Sequence, residues 1–176
     1  MTGHISVARS ARILSFLTMV LMIATVLGVT YFFIDIEAGH AVLLSSAPDL
    51  EDARALSDGT VRAMLCIGLV SVAVQLYLLW QARILFDLYA SQNYLSRDCA
   101  NTIRNLGFGL VALPVVRFLQ EPIWSILMTL GSEDISVSIG VSSSGIGYLI
   151  GGVLMLLIGW AMLEASRAAE ENKGFV

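Results

Sequence analysis

The chain has 176 residues, 57% hydrophobic and 14% charged, with 10 Lys and Arg against 14 Asp and Glu for a net charge of −4. An average soluble domain is about 45–50% apolar, counting glycine, and about 25% charged; here 15 glycines come on top of the 57%. Disorder is excluded, because it needs few apolar residues and many charges, and the negative balance without a basic stripe argues against direct nucleic-acid binding.

These figures describe an integral membrane protein of one domain, residues 1–176. The first uninterrupted apolar run, Ile13 to Ile34, is 22 residues long and carries no charge. That exceeds the roughly 20 residues a helix needs to cross a bilayer. Arg9 and Arg12 precede it as a signal peptide's basic region would, but the run is longer than the usual 7–15 residues. No small-residue cleavage site follows at Glu37-Ala38-Gly39-His40, so the run reads as a retained span.

The acidic segment 35–60 comes next, with Asp35, Glu37, Asp49, Glu51, Asp52 and Asp58 against Arg54. Ile34-Asp35-Ile36-Glu37 alternates in polarity, and so does Asp134-Ile135-Ser136-Val137-Ser138-Ile139 further on. Period two is the strand signature. It predicts a small extracytoplasmic β-unit built from the first connection, including Ala41 to Leu44, and from Ile135 to Val141. Leu50, Ala53 and Leu56 predict a short amphipathic helix between Asp49 and Ser57.

The second run, Ala63 to Trp80, is broken only by Gln75. An amide in mid-membrane wants a partner, for which Thr18, Thr25 and Ser71 are candidates. Ile84 to Leu88 continue this helix, Ala90-Ser91-Gln92-Asn93 make a turn, and Ser96 caps the next helix with Asp98 in its first turn. The third run, Leu106 to Val116, is too short to cross. Extended from Arg104 to Glu121 it suffices, with Arg117 snorkelling or pairing with Glu121 one turn on. Pro122 to Leu130 reads as an interfacial helix or a continuation of the span. The fourth run, Gly145 to Leu163, is uncharged, and Gly145, Gly152 and Gly159 recur at spacing seven. Such a stripe lets another helix approach closely, within one bundle or in a homodimer.

The expected fold is therefore an all-α integral membrane protein, a bundle of four transmembrane helices at about 13–34, 61–82, 104–121 and 145–164, plus the β-unit. The connections are 35–60 and 122–144 outside, and 83–103 with the tail 165–176 inside. Orientation follows from the Lys and Arg bias. Arg9, Arg12, Arg83, Arg97, Arg104, Arg167 and Lys173 fall on one side, and Arg54, Arg62 and Arg117 on the other. Both termini are thus expected in the cytoplasm.

Catalytic constellations are missing, and no enzyme is expected. His4 and His40 fall on opposite sides of the membrane, so a His/Cys/Cys metal site would have to cross it. No phosphate-cradling glycine loop opens a helix, and Ser142-Ser143-Ser144 has no base beside it. Cys66 and Cys99 show no CxxC spacing and read as free thiols. No cofactor or metal is implied.

Two blocks carry a resemblance. Leu95-Ser96-Arg97-Asp98-Cys99-Ala100-Asn101-Thr102-Ile103-Arg104-Asn105-Leu106-Gly107 and the helix from Gly151 into Glu170-Glu171-Asn172-Lys173-Gly174-Phe175-Val176 resemble the bacterial membrane protein family known as domain of unknown function 2975. Cys99 stands where that family often has Asn, and the tail lacks its usual Thr. The resemblance implies a four-helix inner-membrane protein with no assigned activity, often encoded beside a small helix-turn-helix regulator. The leading expectation is accordingly a non-enzymatic regulator or sensor. It would meet a cytoplasmic partner through Arg97, Asn101, Arg104, Arg167 and Glu171. The alternatives are a small-molecule or lipid-binding membrane protein using Gln75, Arg117 and Glu121, and a structural homodimer formed through Gly145, Gly152 and Gly159.

Overall fold

The computed structural model describes residues 2–46, 57–93, 96–128 and 143–173. They form five helices: α1 Thr2–Ile34, α2 Ile36–Ser46, α3 Asp58–Ala90, α4 Arg97–Met128 and α5 Ser143–Lys173. Four of these are long and apolar enough to cross a membrane, over Ala8–Ile34, Asp58–Ala90, Arg97–Leu127 and Ser143–Ala168. The protein is a multi-pass, all-helical membrane protein. Each of these segments exceeds the expected span, because the amphipathic and charged ends of each apolar run continue the same helix beyond the roughly 30 Å hydrocarbon core.

The helices pack in chain order: α1 on α3, α3 on α4, α4 on α5, with the short α2 tucked against α1 and α3. The result is an open bundle in which α4 is the most enclosed helix. The contact face of α1 shows why a mostly apolar helix packs on one side only. Ala11, Ser15 and Thr18 are buried, and the partly buried Met22, Thr25, Val29 and Phe32 continue the stripe at alternating steps of four and three. That period is the seam of a helix pair. The remaining large side chains, such as Phe16, Leu21 and Leu27, are exposed to what in a bilayer is lipid.

The β-unit is not found among the described residues. Ile34 ends α1 and Asp35 begins a second helix: its Oδ1 accepts the Ala38 N–H at 3.2 Å, an N-cap. Glu37 follows in the first turn, where the helix dipole favours an acid. Gly39, buried, lets α2 lie close to Phe32 and Leu65. The alternation from Ile34 to Glu37 is thus a helix junction read as a strand, and Ala41 to Leu44 are helical. The other half of that expectation, Ile135 to Val141, and the amphipathic helix expected within 49–57 lie outside the described residues, except for Ser57. That serine caps α3, its Oγ accepting the Thr60 N–H at 3.3 Å.

The end of α3 and start of α4 follow the turn chemistry of the sequence. The Asn93 N–H reaches the Leu88 carbonyl at 3.0 Å and the Gln92 N–H the Tyr89 carbonyl at 3.2 Å, a Schellman closure with Gln92 at φ 62°. Ser96 Oγ then accepts the Cys99 N–H at 3.2 Å. α4 runs unbroken through both Pro114 and Pro122, so the segment after Pro122 continues the span as far as Met128. Each proline withholds one backbone N–H, which a membrane helix tolerates when neighbouring groups compensate. The α4–α5 contact is close enough for backbone to touch backbone. A Cβ on Gly107 would lie 2.8 Å from the Gly152 carbonyl oxygen, and one on Gly152 would lie 2.9 Å from that of Gly107.

Candidate membrane-embedded binding site

Gln120 pins α4 to α3. It is 8% exposed; its Oε1 accepts the Ser71 hydroxyl at 2.5 Å and its Nε2 donates to the Ile67 carbonyl at 2.5 Å. Nothing in the sequence marked Gln120 above its neighbours. Its importance comes from facing Ser71, and only the α3–α4 register decides that. None of the three candidate partners of Gln75 meets it: Thr18 and Thr25 bond to carbonyls of their own helix, and Ser71 bonds to Gln120. Gln75 lies one residue from the middle of α3, is exposed, and has no hydrogen bond among the described residues.

One turn before Gln120 on the same helix, Arg117 stands about 7 Å from the middle of α4, at about 1.5 Å per residue, toward the end that carries α2. The side chain is exposed and has neither an ion pair nor a hydrogen bond among the described residues; the nearby Glu121 does not close an ion pair with it. A cation at that depth is costly unless it reaches the interface or meets an anion.

Two pockets share Arg117 and Glu121. One, of about 360 Å³, lies between α3 and α4 and is completed by Gly68, Ser71, Gln120 and Trp124. The other, of about 450 Å³, lies between α4 and α5 over Pro114, Phe118, Ser144, Gly145 and Tyr148. A third, of about 240 Å³, shares Gly68 and Trp124 with the first and is otherwise lined by apolar side chains of α1, α2 and α3. Trp124 Nε1 is buried with no acceptor, although a buried indole N–H usually finds one. Together these hollows make a trough on the α2 half of the bundle, with one free cation and one unsatisfied donor among its described residues.

The other sequence candidates are dispersed. Arg97 is exposed and Asn101 partly buried. Arg104 is less available than expected: its backbone presses on Gly159, within 2.8 Å of a Cβ built there, and its Nε is buried without a partner. Arg167 is exposed and 3.7 Å from Glu164. Glu171 lies in the last turn of α5, and its side chain is outside the described residues. Gly152 and Gly159 face α4 of the same chain, and Gly145 lines the α4–α5 pocket.

One polar cluster was not anticipated. Near the C-terminal end of α3, Ser15 Oγ donates to Asp87 Oδ1 at 2.6 Å, and Arg83 Nε lies 3.9 Å from Asp87 Oδ2, tying α1 to α3. The sole signal was Asp87 itself, an acid one helical turn after Arg83. Among the described residues no three His, Cys, Asp or Glu side chains group as metal ligands. Comparison with known protein families, curated proteins and solved structures gives no match to the chain.

Proposed function

We propose that this is a non-enzymatic membrane protein that binds a membrane-resident, anionic small molecule or lipid in the trough around Arg117. The observation that carries this reading is an unpaired guanidinium, within the membrane-crossing part of α4, opening onto two pockets at once. An anion there would offset the cost of the charge, and guanidinium geometry suits carboxylate and phosphate alike. The loop charge bias supports an orientation with both termini and the 91–96 turn in the cytoplasm, which puts α2 and the trough in the outer half of a bacterial inner membrane. The likeness to the family of domain of unknown function 2975 stands as part of this proposal.

The test is native mass spectrometry of the full chain released from mild detergent. The expected result is a bound anionic molecule that is lost in Arg117→Gln and partly retained in Arg117→Lys. An adduct that persists unchanged in Arg117→Gln overturns the reading.

The exposed Arg97 and Arg167 favour a second reading, a regulator that meets a cytoplasmic helix-turn-helix protein at the helix ends. Capture from native membranes tests it. That reading fails if no soluble protein co-purifies with the wild type and Arg97→Ala leaves the expression of neighbouring genes unchanged.

A further inference from the structure

The polar pocket and the apolar pocket adjoin. Gly68 and Trp124 line both, and the Trp124 ring packs directly on Gly68, where a Cβ would touch its Cζ2 at 3.6 Å. On one side lie Arg117, Glu121, Ser71 and Gln120. The amide of Gln120 spends its oxygen on Ser71 and one N–H on Ile67, so the charged donor toward a ligand is the Arg117 guanidinium. On the other side Val29, Phe32, Phe33, Leu65 and Val72 enclose about 240 Å³, roofed by Val42 of α2. The α4–α5 pocket also holds Arg117 and Glu121, beside Phe118, Tyr148 and Leu149.

Resting on the binding reading above, we propose that the ligand is a single-chain amphiphile with an anionic carboxylate or phosphate head. The head sits against Arg117. The chain passes Gly68 into the slot between α1, α2 and α3. That slot has room for one chain. Arg117 stands within the membrane-crossing part of α4, and a single-chain molecule reaches such a site more readily than a two-chain phospholipid anchored among its neighbours. Because bilayer and slot are both apolar, the chain adds little affinity of its own. The head sets the strength of binding, and the slot sets which molecule lies still.

The experiment is photo-crosslinking of the full chain in nanodiscs with three dodecyl probes carrying a diazirine at the chain end: a carboxylic acid, a phosphate monoester and a neutral alcohol. The expected label falls on Phe32, Phe33 or Leu65 for one or both anionic probes. It drops about tenfold or more in Arg117→Gln, as expected for a lost charge-assisted contact, and leaves those residues in Gly68→Leu. Which acid labels identifies the head as carboxylate or phosphate. Equal labelling by the alcohol overturns the anionic head. Arg117-dependent label confined to Phe118, Tyr148 or Leu149 overturns the path of the chain but leaves the Arg117 site standing. No Arg117-dependent label anywhere overturns both. The wild-type labelling pattern decides the chain's path even where Gly68→Leu does not fold.

Discussion

Gln92 holds a left-handed backbone at φ 62° in order to close α3, a place where helices usually have glycine. A side chain there costs on the order of 1 kcal/mol. Gln92→Gly is therefore expected to raise stability by roughly 0.5 kcal/mol, after the greater unfolded-state freedom of glycine is set against the relief. Reversible unfolding in mixed micelles measures this, and a loss of stability would mean that the glutamine side chain holds the turn in some other way. Gln120 works in the opposite direction. Gln120→Leu removes both bonds to α3 and should cost about 1 kcal/mol, the usual scale for a hydrogen bond between membrane helices. Gln75→Leu should be neutral or slightly stabilising in the same assay, because its amide has no partner to lose. The sequence showed two glutamines in apolar surroundings and could not rank them. The ranking depends on which helix face meets Ser71, and that is a property of register.

At the scale of the helix, the α4–α5 seam makes a sharper test. Gly107 and Gly152 approach so closely that any Cβ meets backbone at under 3.0 Å. Gly152→Leu is expected to force the two helices apart and to cost 2 kcal/mol or more, by analogy with overpacking of a filled core at about 1–3 kcal/mol. Gly147, whose added Cβ would meet nothing within 4 Å, should accept leucine with a change of about 0.5 kcal/mol or less, as surface positions do. Similar losses for the two variants would mean that the seam is not where the backbones touch. The spacing of seven picked out the right helix, and Gly152 and Gly159 do face a neighbour, but its identity was not legible. Gly107, the reciprocal half of the contact, gave no periodic signal. The boundaries of α4 were hidden for another reason. Two prolines, Arg117 and Glu121 lower its best mean hydropathy to 1.4, against 2.1–2.3 for the other spans, so its apolar run looked too short and its continuation looked like a separate piece. α2 was misjudged because four alternating residues are also what a cap between two helices looks like.

For the whole molecule, the open row of helices and the placement of charge bear on the same question. Only nine hydrophobic side chains are buried among the described residues, too few to hold a soluble core, so the lipid that surrounds the row is part of what keeps it folded. The number and length of the crossings were legible, because any helix in hydrocarbon must announce itself by composition. The order of packing was not, since α1 and α5 are as apolar on their free sides as on their packed ones. The leading expectation put the contact with a partner at the helix ends, through Arg97, Asn101, Arg104, Arg167 and Glu171. Arg117 shifts that emphasis, since a cation with no partner among the described residues, over a trough, makes the α2 half of the bundle the chemically distinctive place. Which half of the membrane holds it depends on orientation, which single-cysteine labelling decides. In a background with Cys66 and Cys99 replaced by serine, Asn93→Cys in the α3–α4 turn should react with a membrane-impermeant maleimide only after the cytoplasmic face is opened. Asp58→Cys, exposed at the start of α3, should react in intact cells. The reverse pattern would place α2 and Arg117 in the cytoplasmic half, and the molecule recognised there would be drawn from the anionic inner leaflet.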